Sequence, residues 1–81
     1  MTAVTVTDLE GLTLAPGLVD AHMHFLGGGG GDGFDTRAPE LPLTELTLNG
    51  ITTAVGAPGV DMASRGMEGL LAKAQGLERE R

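Results

Sequence analysis

The sequence predicts an α/β fold in which two short strands, each followed by a helix, pair in parallel. Three observations carry this prediction. Two apolar runs of strand length, Leu18 to His24 and Ile51 to Val55, are each preceded by a turn dipeptide, Pro16-Gly17 or Asn49-Gly50. Each run ends in a glycine-bearing loop. Each loop gives way to leucines at helical spacing, and strands alternating with helices imply parallel pairing.

The chain has 81 residues, enough for one small domain. Chains of this size bury only about 60% of their unfolded surface and are marginally stable. Phe25 and Phe34 are the only aromatic residues, so the core lacks its usual largest contributors. Fourteen glycines and four prolines make many backbone positions costly to order or locally stiff. With no cysteine there is no disulfide framework and no thiolate zinc site, in agreement with a reducing compartment. Eleven acidic against five basic residues, a net charge of −6, argue against nucleic acid or an anionic membrane as partner. The acidity reads as a solubilising surface. No basic segment followed by an apolar core opens the sequence, and no apolar run approaches the roughly 20 residues that span a bilayer. The expected location is the cytoplasm.

Val4 and Val6 alternate with Thr5 and Thr7, which predicts a short strand over Ala3 to Thr7. Asp8, Glu10 and Gly11 mark a turn, and Leu12-Thr13-Leu14 predicts a second short strand or an extended lead-in. After the turn at Pro16-Gly17 comes the run Leu18 to His24. Side chains alternate along a strand, so Leu18, Asp20, His22 and His24 share one face and Val19, Ala21, Met23 and Phe25 the other. The second face is wholly apolar, as expected where helices cover it.

Five consecutive glycines, Gly27 to Gly31, follow Phe25-Leu26. Two readings stay open: a flexible linker, or a loop whose main chain comes so close to a ligand or metal that any Cβ would clash. The position directly after a His-x-His strand favours the second. Pro39-Glu40-Leu41-Pro42 predicts a helix start, with Leu43 and Leu46 on one face and Asn49-Gly50 as the stop. Ile51 to Val55 is β-branched and short, hence a strand. Gly56 to Asp61 is a loop, and Ser64 is the predicted N-cap of a last helix. Met67, Leu70, Leu71, Ala74 and Leu77 form its apolar stripe, and the charged end Glu78 to Arg81 is solvated.

His22 and His24 lie roughly 7 Å apart along the chain, two strand rises, close enough to share a metal ion. They sit at the C-terminal end of a strand, where parallel α/β folds build their ligand sites. Asp20, one step back on the same face, can accept a hydrogen bond from a histidine ring or a loop. A lone histidine reads more readily as an ordinary polar residue. A pair at i and i+2, between Pro-Gly and a glycine loop, favours a metal site. A catalytic zinc usually has three protein ligands plus water. The chain has no third histidine, and Asp20, Asp32, Asp35 and Asp61 are candidates that no spacing fixes as ligands.

The stretch Pro16 to His24 resembles the first barrel strand of the amidohydrolase superfamily of metal-dependent hydrolases. The continuation is more specific. Gly27 to Gly30, Thr36-Arg37, Pro39-Glu40, Gly50-Ile51-Thr52, Gly56, Gly59, Asp61, Arg65 and Leu70-Leu71-Ala72-Lys73 resemble the isoaspartyl (β-aspartyl) dipeptidases, from about Leu12 to Glu80. The resemblance implies a TIM-like (β/α)8 barrel of which this chain carries the first two strand–helix units. Residues 1–15 would belong to a small β domain and residues 16–81 to the start of the barrel. A complete barrel needs about 250 residues, so the chain corresponds to an N-terminal fragment, expected to be inactive by itself. The resemblance also implies two zinc ions in the complete enzyme, a metal-activated water that attacks the amide of a β-aspartyl dipeptide, and a homo-oligomer. His22 and His24 would bind one zinc, and the main chain around Gly29 would lie against the substrate. The family's further histidines, its carboxylated lysine and the aspartate that acts on the water come later in its sequence.

The chain departs from the family pattern at two positions. A glutamate that holds the substrate's α-amino group in the family is here Gly31, beside Asp32, and a substrate-contacting threonine is Val60, before Asp61. Two alternatives follow: a fragment of another amidohydrolase, such as a cyclic amidase or an N-acetyl sugar deacetylase, or a non-catalytic remnant.

Overall fold

A two-stranded parallel sheet anchors the chain in a computed structural model that describes residues 3–81. Strand β1 (Leu18–Met23) pairs with β2 (Ile51–Gly56), Leu18 opposite Ile51 and Met23 opposite Gly56. The ladder is irregular in the middle, but both ends are tied. The Leu18 N–H donates to the Gly50 carbonyl and the Ala57 N–H to the Met23 carbonyl, both at 2.8 Å. Helices α1 (Leu43–Thr47) and α2 (Met67–Glu80) complete the alternation predicted from the sequence. The structure is a small α/β unit of two parallel strands and two helices, and the described residues close no barrel.

The core is small. Met23, Phe25, Leu46, Leu70 and Leu77 are buried, with Leu26, Leu41, Leu43, Ile51, Ala54 and Ala74 packed around them. Only the C-terminal end of the apolar face of β1 is therefore covered, and Val19 stays exposed. Gly56 ends β2 against the Phe25 ring, with no space for a Cβ between them. Between α1 and α2 the outer edge of β2 is open, over a groove floored by Phe25, Ile51, Ala54 and Leu77.

The strand predicted over Ala3 to Thr7 does not form, and of the two readings of Leu12 to Leu14 the strand is not the one observed. Val4 and Val6 are more than four-fifths exposed, as is Leu14. Alternation equips a segment to be a strand but does not supply a neighbour, and an isolated strand has nowhere to place its N–H and C=O groups except in water. The predicted turn does form. Glu10 (φ 54°) and Gly11 (φ 87°) reverse the chain, with the Glu10 N–H on the Asp8 carboxylate at 2.9 Å. The N-terminal segment lengthens the molecule. Its radius of gyration is 16.9 Å, against about 12 Å for a compact domain of this length.

Two helix starts differ from prediction. The first helix begins at Leu43, not Pro39, with Pro42 as its N-cap. Proline disfavours the helical conformation of the residue before it, and the Leu41 N–H is committed to the Phe25 carbonyl at 3.0 Å. Residues 39–42 instead brace the sheet, and Glu40 meets Lys73 of α2 at 2.9 Å. Helix α2 begins at Met67 behind Gly66, not behind Ser64. The Ser64 side chain is used elsewhere, as described below. Along α2, Leu70, Ala74 and Leu77 face the core, whereas Met67 and Leu71 of the predicted stripe are exposed. No helix among the described residues is long and apolar enough to cross a membrane.

Candidate metal centre

His22 is next to last in β1 and His24 lies one residue beyond it. The strand brings their rings together, with centroids 5.1 Å apart and planes at 84°. Two imidazoles bound to one tetrahedral zinc through Zn–N distances of about 2.0–2.1 Å have centroids about 5 Å apart. The separation thus fits a shared ion. Both side chains are open to solvent, so an ion and its water have access.

His24 is also oriented. Its Nδ1 lies 3.0 Å from the Ala57 carbonyl, which can only accept, so Nδ1 is the donor and, in the neutral ring, Nε2 carries the lone pair. A metal-binding histidine is typically held by such a bond from its other nitrogen. Ala57 is the first residue after β2. The second strand therefore sets the ring of the first strand's histidine.

The remaining candidates are placed differently. The Asp20 carboxylate accepts the backbone N–H of His22 at 3.0 Å, which holds the strand locally but not through a histidine ring. Among the described residues no third histidine, aspartate or glutamate joins the pair to form a three-ligand group. The two histidines thus fit a metal as part of a ligand set. Asp61 is buried at 8% exposure and belongs to another cluster. Its carboxylate accepts the Ser64 hydroxyl and, at 3.1 Å, the Ser64 N–H. Arg37 donates from Nη1 to Ser64 Oγ at 3.1 Å and stands 4.0 Å from Asp61.

The glycine tract is neither a linker nor an empty cradle. Gly29 forms an antiparallel bridge with Arg37, and the Ala38 N–H donates to the Gly28 carbonyl at 2.7 Å. At Gly29 (φ 71°) a Cβ would lie 2.6 Å from the Thr36 carbonyl. The close approach that demands glycine there is made by the chain's own backbone. A Cβ on Gly28 would lie 3.5 Å from His24 Cβ, so the loop passes beside His24. Gly31 and Val60, the two departures from the family pattern, are neighbours: a Cβ on Gly31 would lie 3.7 Å from Val60 Cγ2. Between the two loops remains a chamber of about 10 Å3, bounded by Leu26, Gly28, Pro58, Asp61, Arg65 and Leu70. It is too small for anything but one water, so a larger ligand can lie over the loops but not between them.

Arg37 and Arg65 stand among the motif residues of the resemblance, which assigns neither of them a place in the site. The available signal was compositional: a chain with five basic residues places two of them beside its glycine-bearing loops.

The Asp61 carboxyl is held below its ordinary range. The Ser64 hydroxyl is the largest cause, followed by the Ser64 N–H, against an opposing effect of burial; the Ala63 N–H and the Arg37 charge add to the lowering. A carboxyl lowered in the folded state stabilises the fold above its unfolded value of about 3.9, and that contribution is lost as pH falls through the folded value. Asp61→Asn is therefore expected to be less stable than the wild type at pH 7 and to lose less stability below about pH 4. Urea midpoints from pH 7 to pH 2.5 check this; parallel profiles for the two proteins would refute it.

No protein-family model matches the chain. Solved structures do. The chain is 51% identical to a β-aspartyl dipeptidase from the thermophilic, keratin-degrading Fervidobacterium islandicum AW-1, with a TM-score of 0.77. A structure of that enzyme in complex with the β-Asp-Leu dipeptide gives the same identity and a TM-score of 0.76. In both cases the match covers 80% of this chain and 18% of the other, so the chain spans less than a fifth of the protein it matches. Across the segment that the two share, the chain is a homologue of β-aspartyl dipeptidase, as its motifs imply.

Proposed function

We propose that this chain supplies part of one metal site and the substrate-facing glycine loop of a metal-dependent amidohydrolase that cleaves β-aspartyl dipeptides. The observation that carries the reading is the adjacent, solvent-open pair His22 and His24 beside the glycine loop, in a segment 51% identical to a β-aspartyl dipeptidase. In this reading the two strand–helix units open a (β/α)8 barrel, and a third strand occupies the groove along the free edge of β2. Residues 1–15 belong to a small β domain and gain their strand partners there.

His22 and His24 hold one zinc. When bound, the ion lowers the pKa of a water and polarises the amide carbonyl. The rest falls to the chain. Ala57 keeps the His24 proton on Nδ1, so Nε2 stays available as a ligand. The loop closes against its own backbone beside His24. Main-chain groups at Gly29 orient the dipeptide by hydrogen bonding, which turns binding into correct placement of the scissile amide.

A second reading has its own observation. Gly31 and Val60 are neighbours, and neither offers the negative charge that an α-ammonium group needs. A substrate lacking that group, such as a cyclic amide or an N-acetyl sugar, suits this corner. A chimera separates the two readings. Residues 18–80 of this chain replace the matching segment of the F. islandicum enzyme, and the zinc-loaded chimera is assayed on β-Asp-Leu. Hydrolysis abolished by His22→Ala is the expected result, with none from the 81-residue chain alone. A folded chimera that cleaves only a cyclic or N-acetyl amide would transfer the assignment to the second reading.

A further inference from the structure

Two arginines cross between the loops in opposite directions. Arg37 lies in the loop after β1 and reaches Ser64 and Asp61 in the loop after β2. Arg65 lies in the second loop and reaches back, donating from Nη1 to the Ala38 carbonyl at 2.6 Å and to the Gly28 carbonyl at 3.3 Å. Arg37 is fixed along its length. The Arg37 Nε donates to the Phe34 carbonyl at 2.8 Å, and its guanidinium stands 5.7 Å from the Phe34 ring centroid. The glycine tract is cut to fit both arginines. A Cβ on Gly27 would collide with the Arg65 guanidinium, and one on Gly30 would lie 3.1 Å from Arg37 Cγ. Planar, multi-donor guanidinium groups suit this role, since one side chain can satisfy two acceptors at once.

The histidine is tied into the same unit. Its ring is bonded to Ala57 of the second loop, and Gly28 of the first passes beside it. We propose that Arg37 and Arg65 are positioning residues: they hold the glycine loop at one place beside His24, so that the main chain at Gly29 meets a substrate at a fixed offset from the metal-binding histidine. The substrate role of Gly29 rests on the function proposed above. The positional part does not.

The test is nuclear magnetic resonance of the 81-residue chain. The Gly30 N–H, bonded to the Thr36 carbonyl, and the Ala38 N–H, bonded to the Gly28 carbonyl, report whether the loop is closed. A nuclear Overhauser contact between Gly28 Hα and His24 Hδ2 reports where it sits. In Arg37→Ala and in Arg65→Ala, exchange at Gly30 and Ala38 should rise at least tenfold and the Gly28–His24 contact should fall by at least half. Exchange at Ala74 in α2 should stay within threefold of the wild type. Arg37→Lys keeps the charge but cannot reach Phe34 and Ser64 together, so it should recover only part of the protection. Absence of loop protection in the wild type, loop exchange within twofold in both alanine variants, or equal acceleration at Ala74 would each overturn the proposal. Failure of the chimera to hydrolyse any amide would count against the function and leave these rates untouched.

Discussion

Phe25→Ala is expected to unfold most of the chain. Phe25 is the most buried core residue, 4% exposed, and packs among Met23, Leu46, Leu70 and Leu77. Truncating a buried phenylalanine costs about 3–5 kcal/mol. A domain of this length has a total stability of about 4–12 kcal/mol, and a core of five buried side chains places this one near the lower end. No small shift refills the space, because Gly56 has no side chain to move into it. Urea unfolding followed by far-ultraviolet circular dichroism checks the effect. A midpoint unchanged from the wild type would mean that the helices do not pack on this ring.

The second large effect concerns metal. Zinc is expected to bind the 81-residue chain through His22 and His24, and either alanine substitution is expected to weaken binding by more than about 100-fold, beyond the 10–100-fold typical of losing an outer partner. The comparison with His24→Gln is informative, since glutamine keeps a polar group near Ala57 without an imidazole nitrogen. Competitive titration against a chromophoric chelator gives the affinities. Equal zinc uptake by the wild type and the His22→Ala/His24→Ala double variant would remove the metal from the assignment.

The parallel strand–helix alternation was legible because it is local. Pro16-Gly17 and Asn49-Gly50 interrupt the chain, short apolar or β-branched runs become six-residue strands, and the leucines of α2 recur at helical spacing. What was not legible depends on partners. Val4 and Val6 alternate correctly but have no neighbouring strand among the described residues. The first helix starts late because Leu41 is bonded to Phe25, sixteen positions earlier. Ser64 is a good N-cap by type, yet Asp61 and Arg37 claim its hydroxyl. The histidine pair was readable from spacing, whereas the bond from His24 to Ala57 spans 33 positions and has no sequence signature. The glycine tract predicts a loop in which any Cβ would clash, and the groups that a Cβ would meet at Gly27, Gly29 and Gly30 belong to Arg65, Thr36 and Arg37, which lie outside the tract's own signature.

The crossed arginines have a consequence for how such a chain can change over generations. Each loop carries one anchor for the other: Arg37 reaches forward 27 positions to Ser64, and Arg65 reaches back 27 positions to Ala38. Surface loops ordinarily drift in length independently, because lengthening them costs little. Here an inserted residue in either loop displaces both an arginine and the acceptor of its counterpart. The two loops are therefore expected to vary as a matched pair, a tolerated insertion in one calling for an adjustment in the other.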